Sequence, residues 1–385
     1  MQLSARATAL FATLFVASAT ASTVQADGTT GTWTGALTLQ GNYYWETSTR
    51  VMAPSFGARL VSPDGTEFHA EYLVDAITSA SIAAGVSADI RFTEVRNQVS
   101  LGAGREFDLG EAQLRLDLSS RVSHEPDYLA TGVTLGGQLA LAQRCTLIGA
   151  SLTYIHDDVG SVIRGEQAST TVDGRDLSDR GRVGQLEGVT LGLSLSQVLT
   201  PQLVASAGYD LVHNWGYLRN PYRSVMVQGL LRPEDHPDQR TRNSFYGRVA
   251  LYVPETRSAV HALYRMYVDE WGLAAITPEA RFYQEVGDLV TLRLRYRYYD
   301  QTRSFFSRPV DQYVNDDAFL TADPKMSRFQ SHLFGLHARL QLGFLQATPL
   351  EFLHGGEFWM SFDYLMQTSR FGDAVIAQGA LRVPF

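Results

Sequence analysis

Three arginines, Arg293, Arg295 and Arg297, stand two residues apart in the run LRLRYRYY. Side chains at i, i+2 and i+4 share one face of an extended strand. Guanidiniums in such a row make a basic ladder that selects anionic solutes, unless carboxylates neutralise it. Arg115, Arg121, Arg248, Arg265, Arg339 and His337 occupy the polar faces of other alternating stretches. Carboxylates in the same kind of position are Glu67, Glu71, Asp75, Glu94, Asp117, Asp210 and Asp363. Paired with these acids, the arginines brace a wall instead of binding a solute. The acids fall mostly early in the chain and the ladder late, so an assembled wall can carry a transverse field.

Other constellations are weaker. His69 stands between Glu67 and Glu71, with Asp75 further along one face. Such acceptors suit a cation, but one strand seldom supplies a whole site, so polar wall is the expectation. Asp173, Asp176 and Asp179 share one stretch without the Asp-x-Asp-x-Asp-Gly order of a calcium loop. His124-Glu125 and His156-Asp157-Asp158 fall at strand ends, but no Gly-x-Ser-x-Gly or His-Glu-x-x-His accompanies them. These residues point to no enzyme, no cofactor and no metal. Cys145 is the single cysteine, so an intramolecular disulfide framework is excluded.

The elements that position these residues show a period of two from end to end. In Glu357 to Gln367, Phe358, Met360, Phe362, Tyr364 and Met366 oppose Glu357, Ser361, Asp363 and Gln367. In Gly188 to Val198, Val189, Leu191, Leu193 and Leu195 oppose Thr190, Gly192, Ser194 and Ser196. Such alternation marks a strand between two different environments. Sixteen segments carry it: 42–49, 52–62, 66–76, 92–104, 111–123, 128–142, 145–157, 187–198, 202–214, 243–253, 258–269, 277–286, 289–301, 328–344, 356–367 and 373–385. Most match the ~9–11 residues that cross a bilayer at a tilt. Short connections such as Pro63-Asp64-Gly65 alternate with long polar ones such as 158–186, 215–242 and 302–327, while 345–355 is a longer turn on the short side.

The 385 residues are 45% hydrophobic and 19% charged, with a net charge of -8, which excludes a basic footprint for nucleic acid. Residues 1–26 read as a signal peptide: Arg6, then apolar Ala7 to Val16, then small-residue cleavage patterns ending at Ala21 or Ala26. No later run approaches the ~18 apolar residues of a transmembrane helix. Residues 27–41 are then a short periplasmic segment and 42–385 one barrel. In lipid every backbone polar group must be paired within the protein, and only a closed sheet does so with strands.

Aromatic residues gather near strand ends, at Tyr43-Tyr44-Trp45, Trp215, Trp271, Tyr298-Tyr299, Phe305-Phe306 and Phe371, as girdles would require. The last strand ends ALRVPF. Leu381, Val383 and Phe385 are expected to face lipid and to form the signal for membrane insertion, with Arg382 facing inward. Pro384 must sit where its nitrogen has no partner to serve.

The stretches EYLVDAITSAS (71–81), SHEPDYLATG (123–132), LTYIHDD (152–158), LTPQLVASAGYDL (199–211), GYLRNPYRSV (216–225), PDQRTRNSFYGR (237–248), YRMYVDEWG (264–272) and LRYRYYDQT (294–302) follow in order over most of the chain. Together they resemble a family of bacterial outer-membrane β-barrels catalogued as a domain of unknown function. That resemblance implies a barrel in the outer membrane and no assigned activity. The expectation is an all-β, single transmembrane antiparallel barrel of about sixteen strands (14–18), wide enough for water. Its partners are outer-membrane lipid, lipopolysaccharide and the insertion machinery. Three functions follow: a porin-like pore for small hydrophilic solutes, lined by Arg293, Arg295, Arg297, Arg339, His337, Arg115, Asp117, Glu67, Glu71 and Asp363; a component of an export or assembly complex with a periplasmic partner; and a loop-borne enzyme at His124 or His156.

Overall fold

The computed structural model describes residues 31–47, 49–80, 91–160, 171–172, 175–176, 182–221, 223–309 and 312–385. The expected signal peptide, residues 1–26, lies outside them. The first seven strands are β1 (Thr34–Glu46), β2 (Thr49–Val61), β3 (Glu67–Ala80), β4 (Arg91–Asp108), β5 (Ala112–Glu125), β6 (Tyr128–Leu141) and β7 (Thr146–Gly160). A two-residue ribbon, β8 (Thr171–Val172) with β9 (Arg175–Asp176), follows. Next come β10 (Arg182–Thr200) and β11 (Leu203–Gly216), then a hairpin of β12 (Ser224–Val227) and β13 (Leu230–Pro233). The last seven are β14 (Gln239–Val253), β15 (Ser258–Asp269), β16 (Ala274–Val286), β17 (Val290–Gln301), β18 (Phe329–Gln341), β19 (Glu357–Gln367) and β20 (Ala374–Pro384).

All but the four ribbon strands form one closed antiparallel barrel in chain order, so sixteen strands surround the lumen. The seam is β1 against β20, registered from Ala36↔Pro384 to Glu46↔Ala374. Most of the short turns, the longer turn 342–356, the start of β1 and the end of β20 share one rim, the periplasmic one by the usual asymmetry. The longer connections, including 217–238 and 302–328, stand at the other.

Alternation sorts the residues. Leu39 on β1 is 60% exposed, and Leu118 on β5 and Leu294 on β17 are 56% exposed. Their neighbours on the outer face are equally apolar, including Leu101, Leu135, Phe334 and Met360. In water such a continuous belt would be a severe liability. In lipid each large side chain is worth about 1.5–3 kcal/mol. The inner face carries polar and small residues, and glycines let long side chains lie flat on the wall. A Cβ on Gly208 would fall 2.2 Å from the Tyr246 ring, and one on Gly102 the same distance from His69.

Two expected boundaries differ. Strand β1 begins at Thr34, so residues 34–41 are barrel rather than periplasmic segment. The alternation of Leu37, Leu39, Gly41 and Tyr43 already runs through them, masked by the small residue, and the partners across both neighbours are in place. Strand β18 stops at Gln341, and Phe344 lies in a 3-10 turn, Gly343–Leu345. The ladder ends there because Leu342 N bonds Gly356 O, closing the base of a longer turn.

Candidate functional site

Pairing register places the ladder. Arg293, Arg295 and Arg297 sit on the inner face of β17, opposite His337, Gly335 and Leu333 of β18. Only the middle one is firmly paired with acids. Arg295 Nη2 lies 3.0 Å from Glu279 Oε2 and Nη1 lies 3.7 Å from Asp363 Oδ2. Glu279 also holds Arg281 on its own strand. Among the described residues no carboxylate is within ion-pair distance of Arg248, Arg293 or Arg297, and the Nε atoms of Arg293 and Arg297 have no hydrogen-bond partner. Arg339 meets Glu357 only at 4.0 Å. His337 lies against Trp359, with ring centroids 5.5 Å apart.

The opposite wall behaves otherwise. Arg115 holds Asp117 at 2.7 Å and Glu67 at 3.3 Å, and Glu67 also takes Arg59 at 2.7 Å. Arg96 and Asp75 form a nearly buried pair at 2.9 Å. Glu71 and His69 share this face with Glu67 by register. The side chain of Glu94 lies outside the described residues. In barrel order β3–β7 and β14–β18 are on opposite sides. The first carries Glu67, Glu71, Asp75, Asp117, Glu125 and Asp157 inward against Arg96, Arg115 and Arg121, and the second Arg248, Arg265, Arg281, Arg293, Arg295, Arg297 and Arg339 against Glu279 and Glu285. The lumen is therefore acidic on one side and basic on the other. Between them Gly149, Ser151, Thr190, Gly192 and Ser194 form a shallow recess of about 60 Å³ with Asp210, Tyr246 and Arg265.

Above the walls the long connections fold into a cap. Expected to be solvated polar loops, 217–238 and 302–328 enclose a core of their own, in which Val225, Val227, Tyr313 and Leu320 are buried. Asp235 and Leu320 pair through both backbone bonds, at 2.9 and 2.8 Å. A second buried cluster joins Leu218, Trp271, Leu273, Phe306 and Met326 to inward-facing Ile155 of β7 and Leu186 of β10. Loop 302–328 thus turns inward at the outer mouth. Gln301 fastens its return, donating from Nε2 to Lys325 O at 2.8 Å and Ser327 O at 2.6 Å.

Charges lock the cap from within. Arg223 lies 3.3 Å from Glu234 and 3.2 Å from Asp323, and His236 Nε2 lies 2.5 Å from Glu234. Burial works against the Arg223 charge, but Asp323 and Glu234 outweigh it and hold its pKa above the ordinary value. Arg370, reaching in from the β19–β20 loop, donates to Ala322 O. Burial, with Arg223 nearby, lowers its pKa. Trp271 and Phe306, expected in a girdle, are instead this cap's core, and Arg240 stacks over Trp271 at 4.2 Å. Their sequence signal is the same as that of a girdle aromatic, a ring next to a strand end.

The enzyme candidates are on the lipid side. By register His124 and His156 share the outer face with Leu129 and Tyr154. His156 Nδ1 lies 2.6 Å from Glu187, which also accepts from Tyr154 Oη. The other ring nitrogen faces Asp158 at 3.7 Å. Asp173 and Asp179 lie outside the described residues, as does the side chain of Asp176. No group of three metal-binding side chains occurs among the described ones.

A family model described as a protein of unknown function, DUF3570, matches residues 87–380. The chain belongs to that family. No curated protein matches it. The DUF3570 chain is similar in fold to OprD of Pseudomonas aeruginosa, at 10% identity and a TM-score of 0.43, over 94% of this chain and 98% of that one. A BenF-like porin from Pseudomonas fluorescens Pf-5 aligns at 8% identity and a TM-score of 0.45, over 92% and 98%. A bacterial polysaccharide outer membrane secretin aligns at 8% and 0.49, over 91% and 98%. Likeness at this level leaves substrate to be argued from this chain's own residues.

This DUF3570 barrel belongs in the bacterial outer membrane, which closed antiparallel barrels span. Its seam resolves the ALRVPF end. Gly35 and Phe385 exchange both backbone hydrogen bonds at 2.9 Å. The nitrogen of Pro384 therefore points to the other side, where β19 has ended at the Glu357↔Arg382 pair. Leu381 and Val383 are outward with Leu39 and Leu37, and the Phe385 ring overlies Gly35.

Proposed function

We propose that this DUF3570 protein is a passive, porin-like channel for small hydrophilic solutes. The observation that carries the reading is the closed sixteen-strand barrel with an inner face of polar and small side chains along its strands. A sheet of that size encloses a bore wide enough for water. Passage is diffusion, so no catalytic step is needed. The transverse arrangement of acid and basic walls orients dipolar solutes, and the inward-folded cap narrows the outer entrance.

Conductance of the purified protein in planar lipid bilayers, with swelling of proteoliposomes in small sugars, tests the reading. Stepwise current and swelling are expected. A folded barrel that gives neither overturns it.

A second reading, a component of an envelope export or assembly complex, draws on one feature. The periplasmic turn 342–356 presents Phe344, Leu350 and Phe352, the last 69% exposed. Photo-crosslinking from Phe352 in intact cells should then trap a periplasmic protein, and labelling of lipid alone would dismiss it.

A further inference from the structure

One corner of the inner wall holds more positive charge than the fold uses. Every carboxylate near the ladder is committed: Glu279 to Arg281 and Arg295, and Asp363 to Arg295. Arg293 is left with no acid among the described residues, and its Nε has no partner. Arg339 has only the 4.0 Å approach of Glu357, and its side chain is 46% exposed. Backbone ladders close the sheet without these side chains, so two spare guanidiniums add nothing to closure. For Arg293 this is costly, since its buried Nε without a partner forfeits solvation, while Arg339 stays open to solvent and free to turn to a ligand.

Register brings the two together. Arg293 lies directly opposite His337, and Arg339 directly opposite Trp359. Arg293 and Arg339 are thus diagonal neighbours on adjacent strands; such diagonal positions stand roughly 7–8 Å apart, within joint reach for long side chains. His337 and Trp359 fill the same corner, their planes 30° apart. Of the remaining neighbours, Thr291 beside Arg339, Ser361 beside His337 and Tyr283 beside Arg293 are neutral, and Glu285 beside Thr291 is taken by Arg257 at 3.0 Å.

We infer that this corner, near the periplasmic mouth, is a binding station for a small organic oxyanion. Its head group sits between Arg293 and Arg339, and its carbon body lies against Trp359. Carboxylates and phosphates both accept the guanidinium fork. The indole face favours a flat body over a short aliphatic one. The station rests on the channel reading for its purpose, since it would concentrate anions at the exit.

Two measurements keep the station and the channel apart. Titration calorimetry on the purified barrel in detergent, with sodium benzoate, sodium acetate and inorganic phosphate, reads the station. Bilayer current reads the channel. Saturable binding of benzoate or phosphate is expected, weakened about tenfold or more in the double variant Arg293→Gln, Arg339→Gln. Arg293→Lys keeps the charge and loses less, and Arg59→Gln on β2, away from the corner, changes nothing. Trp359→Leu weakens benzoate but leaves phosphate unchanged. Binding of phosphate alone assigns the head group as phosphate; binding of benzoate above acetate assigns a carboxylate with a ring. Resistance of each variant to unfolding in SDS shows that its barrel is intact. Absence of binding by all three anions, or equal binding in the double variant, overturns the station even where current flows. Binding that the double variant loses, in a barrel that passes no current, upholds the station and overturns the channel.

Discussion

Arg295 of β17 and Asp363 of β19 meet across an intervening strand, 3.7 Å apart, because Gly335 on β18 has no side chain. A Cβ at Gly335 would fall 1.9 Å from Asp363 Oδ1. With the 3.0 Å bond to Glu279, one guanidinium ties β16, β17 and β19 together.

Gly335→Leu should therefore push Asp363 off Arg295. Both partners are largely buried, so breaking the contact costs about 1–3 kcal/mol. Thermal unfolding of the barrel in detergent reads it, and a midpoint equal to the parent's would remove Gly335 from the argument. Ser361 stands one inward position along β19 from Asp363, and Ser361→Ala gives the control with a small effect.

The cap should open separately from the barrel. Glu234→Gln leaves Arg223 with Asp323 alone in a buried place, where losing one partner of an ion pair costs about 3–5 kcal/mol. Hydrogen exchange is expected to rise in 217–238 and 302–328 while the strands stay protected. Uniform loss across the strands would show that the cap and barrel unfold as one.

Tyr313 makes the cap sensitive to alkali. Its hydroxyl lies 3.0 Å from both Phe306 O and Thr321 O, which share its single proton, and accepts from Arg308 N. Burial raises its pKa above the ordinary value of 10.0. The folded cap then keeps a proton that the unfolded loop loses, so its stability is full below about pH 10 and falls as pH rises beyond it. Exchange in 302–328 should accelerate above that pH. Tyr313→Phe should weaken the cap at neutral pH and remove this extra dependence; an unchanged alkaline slope would refute the assignment.

Phe385 is proposed as part of the signal for membrane insertion. Its backbone adds one pair of bonds to the seam, and its ring covers Gly35. Removing it should lower the assembled fraction in the cell envelope several-fold while shifting detergent stability little. Normal assembly of the shortened chain would sink the idea.

What the sequence determined by itself was the set of barrel strands and the face of each side chain. A strand between lipid and water must alternate, and Leu292, Leu294 and Tyr296 against Arg293, Arg295 and Arg297 is that alternation written out. The tertiary structure alone decided which charges are spent. Arg295 and Arg293 look alike in the chain, yet one finds Glu279 and Asp363 while the other finds His337, because partners come from register between strands far apart in sequence. The cap was hidden for the same reason. Val225 and Tyr313 lie in polar stretches with no period, and they become a core only when Asp235 pairs with Leu320. Local patterning reports the solvent on each side of a strand; it carries no record of which distant group stands opposite.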